Sequence, residues 1–200
     1  MKRIVLIDGE NLCYGIRTLL GTQKSKASRN VLKNFDFRGL VDDLLSDQKS
    51  VEILWFGARL RLYDQTPELL TKTKQAIADQ AQLSNSLRSQ KIQLVKSGYL
   101  RARESDPCVK CGDIEWHLAE KGVDVGLAVE MLQRASKNIE IVMISADTDL
   151  LPAVKAARKT GCKIMYVGYE NRPIAALSQA TDSIRIISQP LVKKYQGDKK

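Results

Sequence analysis

The run Ile4-Val5-Leu6-Ile7, closed by Asp8-Gly9-Glu10-Asn11, and its counterpart Ile141-Val142-Met143-Ile144, followed by Ser145-Ala146-Asp147-Thr148-Asp149, decide the fold. Four consecutive apolar residues without alternation read as strands buried on both faces, the mark of a parallel sheet covered by helices. Each run gives way to a helical pattern, Leu12 to Leu20 in the first case and Thr148 to Lys159 in the second. In open α/β sheets the carboxyl ends of such strands are where ligands bind. Asp8, Asp147 and Asp149 are expected at that edge, and Asp124, near the start of the helical pattern Gly122 to Ala135, is the fourth acid placed to join them.

Outward from these runs the periods alternate. Asp36 to Leu45 reads as a helix, Val51 to Phe56 as a strand ended by Gly57, and Pro67 to Leu87, capped by Thr66, as the longest helix. Ile92 to Val95 is a third strand, which Tyr99 to Arg103 extend as an arm towards Cys108 and Cys111, with Trp116 and His117 on the return. Lys163 to Val167 and Ile184 to Ile187 complete the strands. Residues 21 to 34 read as a basic loop and the chain from Lys193 as a frayed tail. The alternation predicts a three-layer α/β/α sandwich around a mainly parallel sheet. One domain is expected over residues 1–190, including a small cysteine-containing hairpin at 99–118, with a basic tail at 191–200.

The chain has 200 residues, 44% of them hydrophobic and 28% charged, as in ordinary globular domains with a full core. Lys and Arg number 32 against 23 Asp and Glu, a net +9, which favours polyanionic partners, nucleic acid first. Solvated lysines on helix faces explain such a charge about equally well when it is taken alone. Only four apolar residues precede Asp8 and no stretch approaches membrane-spanning length, so a cytoplasmic protein with no membrane partner is expected.

Each acid also has a structural reading. Asp8 suits an Asx-turn, Asp124 the positive end of a helix and Asp147 an N-cap ahead of Pro152. Those readings predict no common location, whereas carboxylates gathered at one sheet edge repel one another unless a cation neutralises them, and hard divalent ions such as Mg²⁺ or Mn²⁺ take oxygen ligands. Other chemistries lack their parts. His117 is the only histidine, there is no Gly-x-Ser-x-Gly elbow, phosphate loop or Gly-x-Gly-x-x-Gly turn, and Glu10 stands where an aspartyl phosphatase would carry its second Asp.

Cys108-Val109-Lys110-Cys111 has the spacing of half a zinc site, with His117 as a third ligand and Asp106, Asp113, a distant cysteine or a second chain as the fourth. A reduced, metal-free hairpin tip is the alternative, and Cys13 and Cys162 read as small buried hydrophobes. Lys24, Lys26, Arg29, Arg59, Arg61, Arg101, Arg103 and Lys121 are candidate phosphate contacts, with Tyr63 or Tyr99 for stacking on an unpaired base. Arg101 and Arg103 share one face of a strand by alternation.

Asp8-Gly9-Glu10-Asn11, Lys121-Gly122-Val123-Asp124-Val125 and Ser145-Ala146-Asp147-Thr148-Asp149-Leu150, in that order, resemble the NYN domain of the PIN-like ribonuclease superfamily, in particular its bacterial LabA-like branch, over roughly residues 1 to 188. The resemblance implies a PIN-like fold and Mg²⁺- or Mn²⁺-dependent RNA cleavage. It also implies an acidic cluster of Asp8, Asp124, Asp147 and Asp149, oriented by Asn11 and Ser145. The expectation is therefore a metal-dependent ribonuclease acting on single-stranded or locally unpaired RNA, with structural zinc as an additional option and with DNA and a homo-oligomer left open. The alternatives are a regulatory RNA- or protein-binding module with a weak or inactive site and, behind it, a small phosphatase or nucleotidase.

Overall fold

The computed structural model describes residues 2–22, 32–46, 51–109 and 111–197. In chain order the elements are β1 (Lys2–Asp8), α1 (Gly9–Leu19), α2 (Phe37–Leu45), β2 (Val51–Arg59), α3 (Pro67–Ser89), β3 (Gln93–Glu104), β4 (Trp116–Lys121), α4 (Val123–Arg134) and β5 (Ile139–Ile144). A 3₁₀ turn at Thr148–Leu150 then leads into α5 (Leu151–Lys159), β6 (Lys163–Tyr169), α6 (Ala175–Ala180), β7 (Ser183–Ile187) and α7 (Gln189–Lys194). The strands form one sheet in the order β4-β3-β2-β1-β5-β6-β7, parallel throughout except where β4 returns antiparallel along β3. This is the expected three-layer α/β/α sandwich.

β1 lies between β2 and β5, which explains its unbroken apolar run. Its alternate residues feed two cores. Val5 and Ile7 pack with Leu12 and Ile16 of α1, Leu40 of α2 and Val192 of α7. Ile4 and Leu6 pack with Leu127 and Met131 of α4, Val154 of α5 and Leu177 of α6. From β1 the sheet grows outward through β2 and β3 on one side and, after the chain returns, through β5, β6 and β7 on the other. The order therefore reverses between β1 and β5, and at such a switch point the connections diverge and leave a crevice beyond the carboxyl ends of the strands.

Two features differ from expectation. The third strand and its arm form one twelve-residue strand, β3, whose register against β2 shifts between Gly57 and Ala58. Residues 189–195 are docked and not frayed, while residues 198–200 lie outside the described residues: Ser188 caps α7, Pro190 occupies its first turn and Val192 is fully buried. Lys194 and the Tyr195 hydroxyl both reach Asp43 of α2 at 2.8 Å. A cap, a first-turn proline and an apolar pair were enough to make a short helix once a core face was available to receive it.

Removing residues 189–200 should therefore lower the unfolding free energy by roughly 3 kcal/mol, the scale of fully burying one or two aliphatic side chains. A urea titration of the truncated protein reads this directly, and an unchanged midpoint would show that α7 contributes nothing to the core.

Candidate functional site

Asp8 ends β1 and caps α1, its Oδ1 accepting the Asn11 N–H at 3.1 Å. The next residue must be glycine for steric reasons, because a Cβ at Gly9 would collide with the Trp55 indole nitrogen and lie 2.6 Å from the Phe56 carbonyl. Across the switch point Ser145, fully buried, donates from Oγ to Asp8 Oδ2 at 3.0 Å and accepts the Asp147 N–H at 3.1 Å. Asn11 Oδ1 takes the Ala146 N–H at 3.0 Å, and Asp147 Oδ1 takes the Asp149 N–H at 2.8 Å. Asp8 and Asp147 thus fill the structural roles of turn and cap while belonging to one network that bridges the two central strands.

Asp124 enters from α4, where Gly122, at φ 82°, makes the turn out of β4 in the left-handed region that favours glycine. A cleft of about 290 Å³ lies between this turn and α1, lined by Asp8, Glu10, Asn11, Tyr14, Glu120 and Asp124 among others. Burial pushes the Asp8 carboxyl up to about 6, against the lowering effect of the Asn11 and Ser145 hydrogen bonds, and repulsion from Asp124 and Asp147 adds to the rise. Glu120 is pushed up to about 7, first by loss of solvent along the cleft wall and then by Glu10, Asp8 and Asp124, although its side chain keeps solvent contact. Desolvation likewise raises Asp124, with Asp147 and Asp149 repelling it. Asp147 and Asp149 act on the cleft through their charge, from outside its lining. Among the described residues, no three His, Cys, Asp or Glu side chains are grouped so as to ligate one ion in these orientations.

Glu10 and Glu120 are the members of this acidic group that sequence reasoning did not single out. Glu10 lies inside the Asp8-Gly9-Glu10-Asn11 motif but passes for an ordinary acid in the first turn of a helix. Glu120 reaches the cleft only because β4 pairs back along β3, opposite Leu100.

Cys108 and Cys111 are exposed, reduced and hydrogen-bonded to each other at the hairpin tip. His117 is held in the β4 ladder opposite Arg103, and the structure does not bring it together with the two thiols as an ion-holding group. Cys13 and Cys162 are buried. Arg59, Tyr99 and Lys121 lie in register across three strands, with Arg101 and Arg103 further along the exposed face of β3. The Arg101 guanidinium is 5.8 Å from the Tyr99 ring centroid. Tyr63 offers no face to a base: it is buried, it donates to the Leu100 carbonyl at 2.8 Å, and Arg61 covers its ring at 4.7 Å. Its hydroxyl anchors the β2–α3 connection to β3. Lys24, Lys26 and Arg29 lie outside the described residues. No helix among the described residues is long and apolar enough to cross a membrane.

The NYN domain family model matches residues 2–188. Among solved structures, the fold is similar to that of a protein of unknown function from Vibrio parahaemolyticus RIMD 2210633, at 20% identity over 94% of this chain and 93% of that one, with a TM-score of 0.57. A phosphofructokinase-2 variant from Escherichia coli aligns over 72% of this chain and 43% of its own at 14% identity, and its TM-score of 0.37 is too low to carry an argument. No curated protein matches the sequence.

The buried Asp8 makes stability depend on pH. Folding raises its pKa from 3.8 to about 6, so below both values the carboxyl is neutral in both states and no penalty applies. As pH rises between them the unfolded chain ionises first, and the native state loses stability that it does not regain at higher pH. The loss is on the order of 3 kcal/mol. The stability of Asp8→Asn relative to wild type should therefore rise by about that amount between pH 4 and pH 6.5, above any constant offset introduced by the amide. A difference that stays flat with pH would show that Asp8 is not a strained carboxylate.

Proposed function

We propose that this chain, which belongs to the NYN domain family with its PIN-like, nuclease-type fold, is a Mg²⁺- or Mn²⁺-dependent ribonuclease that hydrolyses phosphodiester bonds of single-stranded or locally unpaired RNA. The observation that carries this reading is the buried Asp8, locked by Ser145 and Asn11 at the switch point of the sheet and facing further acids that raise its pKa. Carboxylates left this uncomfortable without a counterion are complemented by a hard divalent cation, and the all-oxygen donor set suits one.

In this reading Asp8, Asp124 and Asp147 hold the ion, and Asp149 completes the set directly or through water. Asp124 is exposed and Asp147 partly exposed, and closing the set on the already fixed Asp8 requires both to reorient. An ion held by these residues would supply acidification of a nearby water and charge compensation for the phosphate under attack. Ser145 keeps Asp8 aimed outward and passes its orientation to Asp147. Asn11 ties the start of α1 to the loop after β5, so that acids from the two halves of the sheet keep their spacing. Arg59, Arg101, Arg103 and Lys121 contact phosphates, and the exposed Tyr99 stacks on a base. An unpaired strand is the better substrate because its backbone bends readily towards a site at a strand edge.

Asp147→Asn should keep the fold and lose cleavage of labelled RNA in Mn²⁺ by about 100-fold or more, since the amide retains the cap and gives up the charge that holds the ion. Wild-type rates from a folded Asp147→Asn protein would remove it from the site, and tight RNA binding by wild type without cleavage would favour the binding-module alternative.

The double variant Arg101→Ala/Arg103→Ala should weaken binding to single-stranded RNA and flatten the slope of log affinity against log salt by about 1.4, about 0.7 per lost phosphate contact. An unchanged slope would take the arm out of the binding surface.

A further inference from the structure

The acidic cleft adjoins a larger cavity. A groove of about 700 Å³ runs between α1, α3 and the outer strands β2 to β4, and Glu10 and Glu120 line both spaces. A strand with one phosphate at the cleft therefore has its neighbouring nucleotide at the mouth of the groove. Leu60, Leu83, Leu94, Leu100 and Leu118 give the groove an aliphatic lining. Arg17 also lines it, and its Nε is buried with no hydrogen-bond partner among the described residues. A buried donor without an acceptor is uncommon in folded proteins and asks for one from outside the chain. Concave, mostly apolar space with a few polar groups is the general form of a small-ligand site.

The chemistry of the lining selects among ligands. A phosphate is disfavoured, because Glu10, Asp79 and Glu120 outnumber Arg17 and Lys33 on the walls. A nucleobase suits the lining: its flat faces lie against leucines, its N–H edges meet carboxylates, and its ring nitrogens or carbonyls accept from Arg17.

We propose that the groove receives the unpaired base next to the phosphate held at the acidic cleft, so that the enzyme selects flexible strands by requiring one base to leave the stack. The inference rests on the reading of this chain as acting on unpaired RNA. It adds a base subsite, with Arg17 as its polar contact, separate from the phosphate-binding arm.

The test uses the full chain and two probes of equal length and charge, a short single-stranded RNA and its abasic ribose-phosphate counterpart. Binding is measured in Ca²⁺, which takes the same oxygen ligands and admits the phosphate to the cleft, and cleavage separately in Mn²⁺. Wild type should bind the base-containing probe about 10- to 100-fold more tightly. Ala76→Phe, which fills the groove from α3, and Arg17→Gln, which removes the buried donor, should cut that ratio by about tenfold, to the preference that stacking on Tyr99 alone supplies. Arg17 is partly exposed, so its variant serves if Ala76→Phe does not fold. Cleavage together with a wild-type preference that both variants retain in full, or with no preference at all, would overturn the groove and leave the nuclease reading standing. A preference that the variants cut, without any cleavage, would support the groove and defeat the nuclease reading. Variants that change only the oligomeric state would assign the groove to a second copy of the chain and overturn the base subsite.

Discussion

The hydrogen bond from Ser145 Oγ to Asp8 Oδ2, 3.0 Å long and inaccessible to water, joins the carboxyl ends of the two central strands and sets the geometry around it. A serine hydroxyl has one proton to give. Having given it to Asp8, Oγ has its lone pairs left for the Asp147 N–H, and Asp147 in turn orients Asp149. One buried residue therefore fixes the Asp8 carboxylate and the backbone of the loop that carries Asp147 and Asp149. With the Asn11 N–H on its other oxygen, Asp8 has a donor on each side, yet burial still holds its pKa well above the ordinary carboxylate range. The native state tolerates an ill-solvated carboxyl here, as proteins commonly do where a site has a task beyond folding.

The centre of the fold was legible because burial on both faces leaves a plain record. Ile4 to Ile7 and Ile141 to Ile144 are apolar without interruption since each lies between two neighbours and under two helical layers. The margins were less legible. α6 and α7 are six residues each, too short for a helical period to show, and depend on packing for their stability. Tyr63 read as an aromatic free to stack, and only the fold reveals that Leu100 accepts its hydroxyl proton. Glu120 shows the same limit at the site: nothing local marks it, because its position depends on a strand pairing with residues twenty positions earlier. Residues placed by their own strand or helix could be read in advance, and residues placed by a partner strand could not.

The outer strands account for the shape of the surface around the acids. β1 ends at Asp8, opposite Phe56, whereas β2 continues to Arg59 and β3 to Glu104. The sheet therefore overhangs its own central strand. One side of the overhang carries the row of Arg59, Tyr99 and Lys121 with Arg101 and Arg103 beyond it. Leu100 and Leu118, from the alternate positions, line the groove that α1 and α3 close. Alternation along a strand thus puts cations and aliphatics on opposite faces of one ribbon, and the groove on the aliphatic face shares Glu10 and Glu120 with the acidic cleft.

The chain's charge is split in a way that a uniform basic surface would not explain. The net charge is +9, yet Glu10, Glu120, Asp8 and Asp124 meet in one cleft, where Asp124 repulsion adds to the raised proton affinity of Asp8, and Glu10, Asp8 and Asp124 add to that of Glu120. A polyanion is drawn to the cationic exterior over distances of about a Debye length and is then repelled at close range by the cleft itself. Attraction to the surface and entry to the site are thereby separate events with opposite electrostatic signs. In the proposed function a divalent cation reverses the second sign without altering the first, so the ion controls admission of the phosphate as well as its chemistry. A protein built this way can gather RNA in the absence of the ion and still leave the scissile phosphate outside the site.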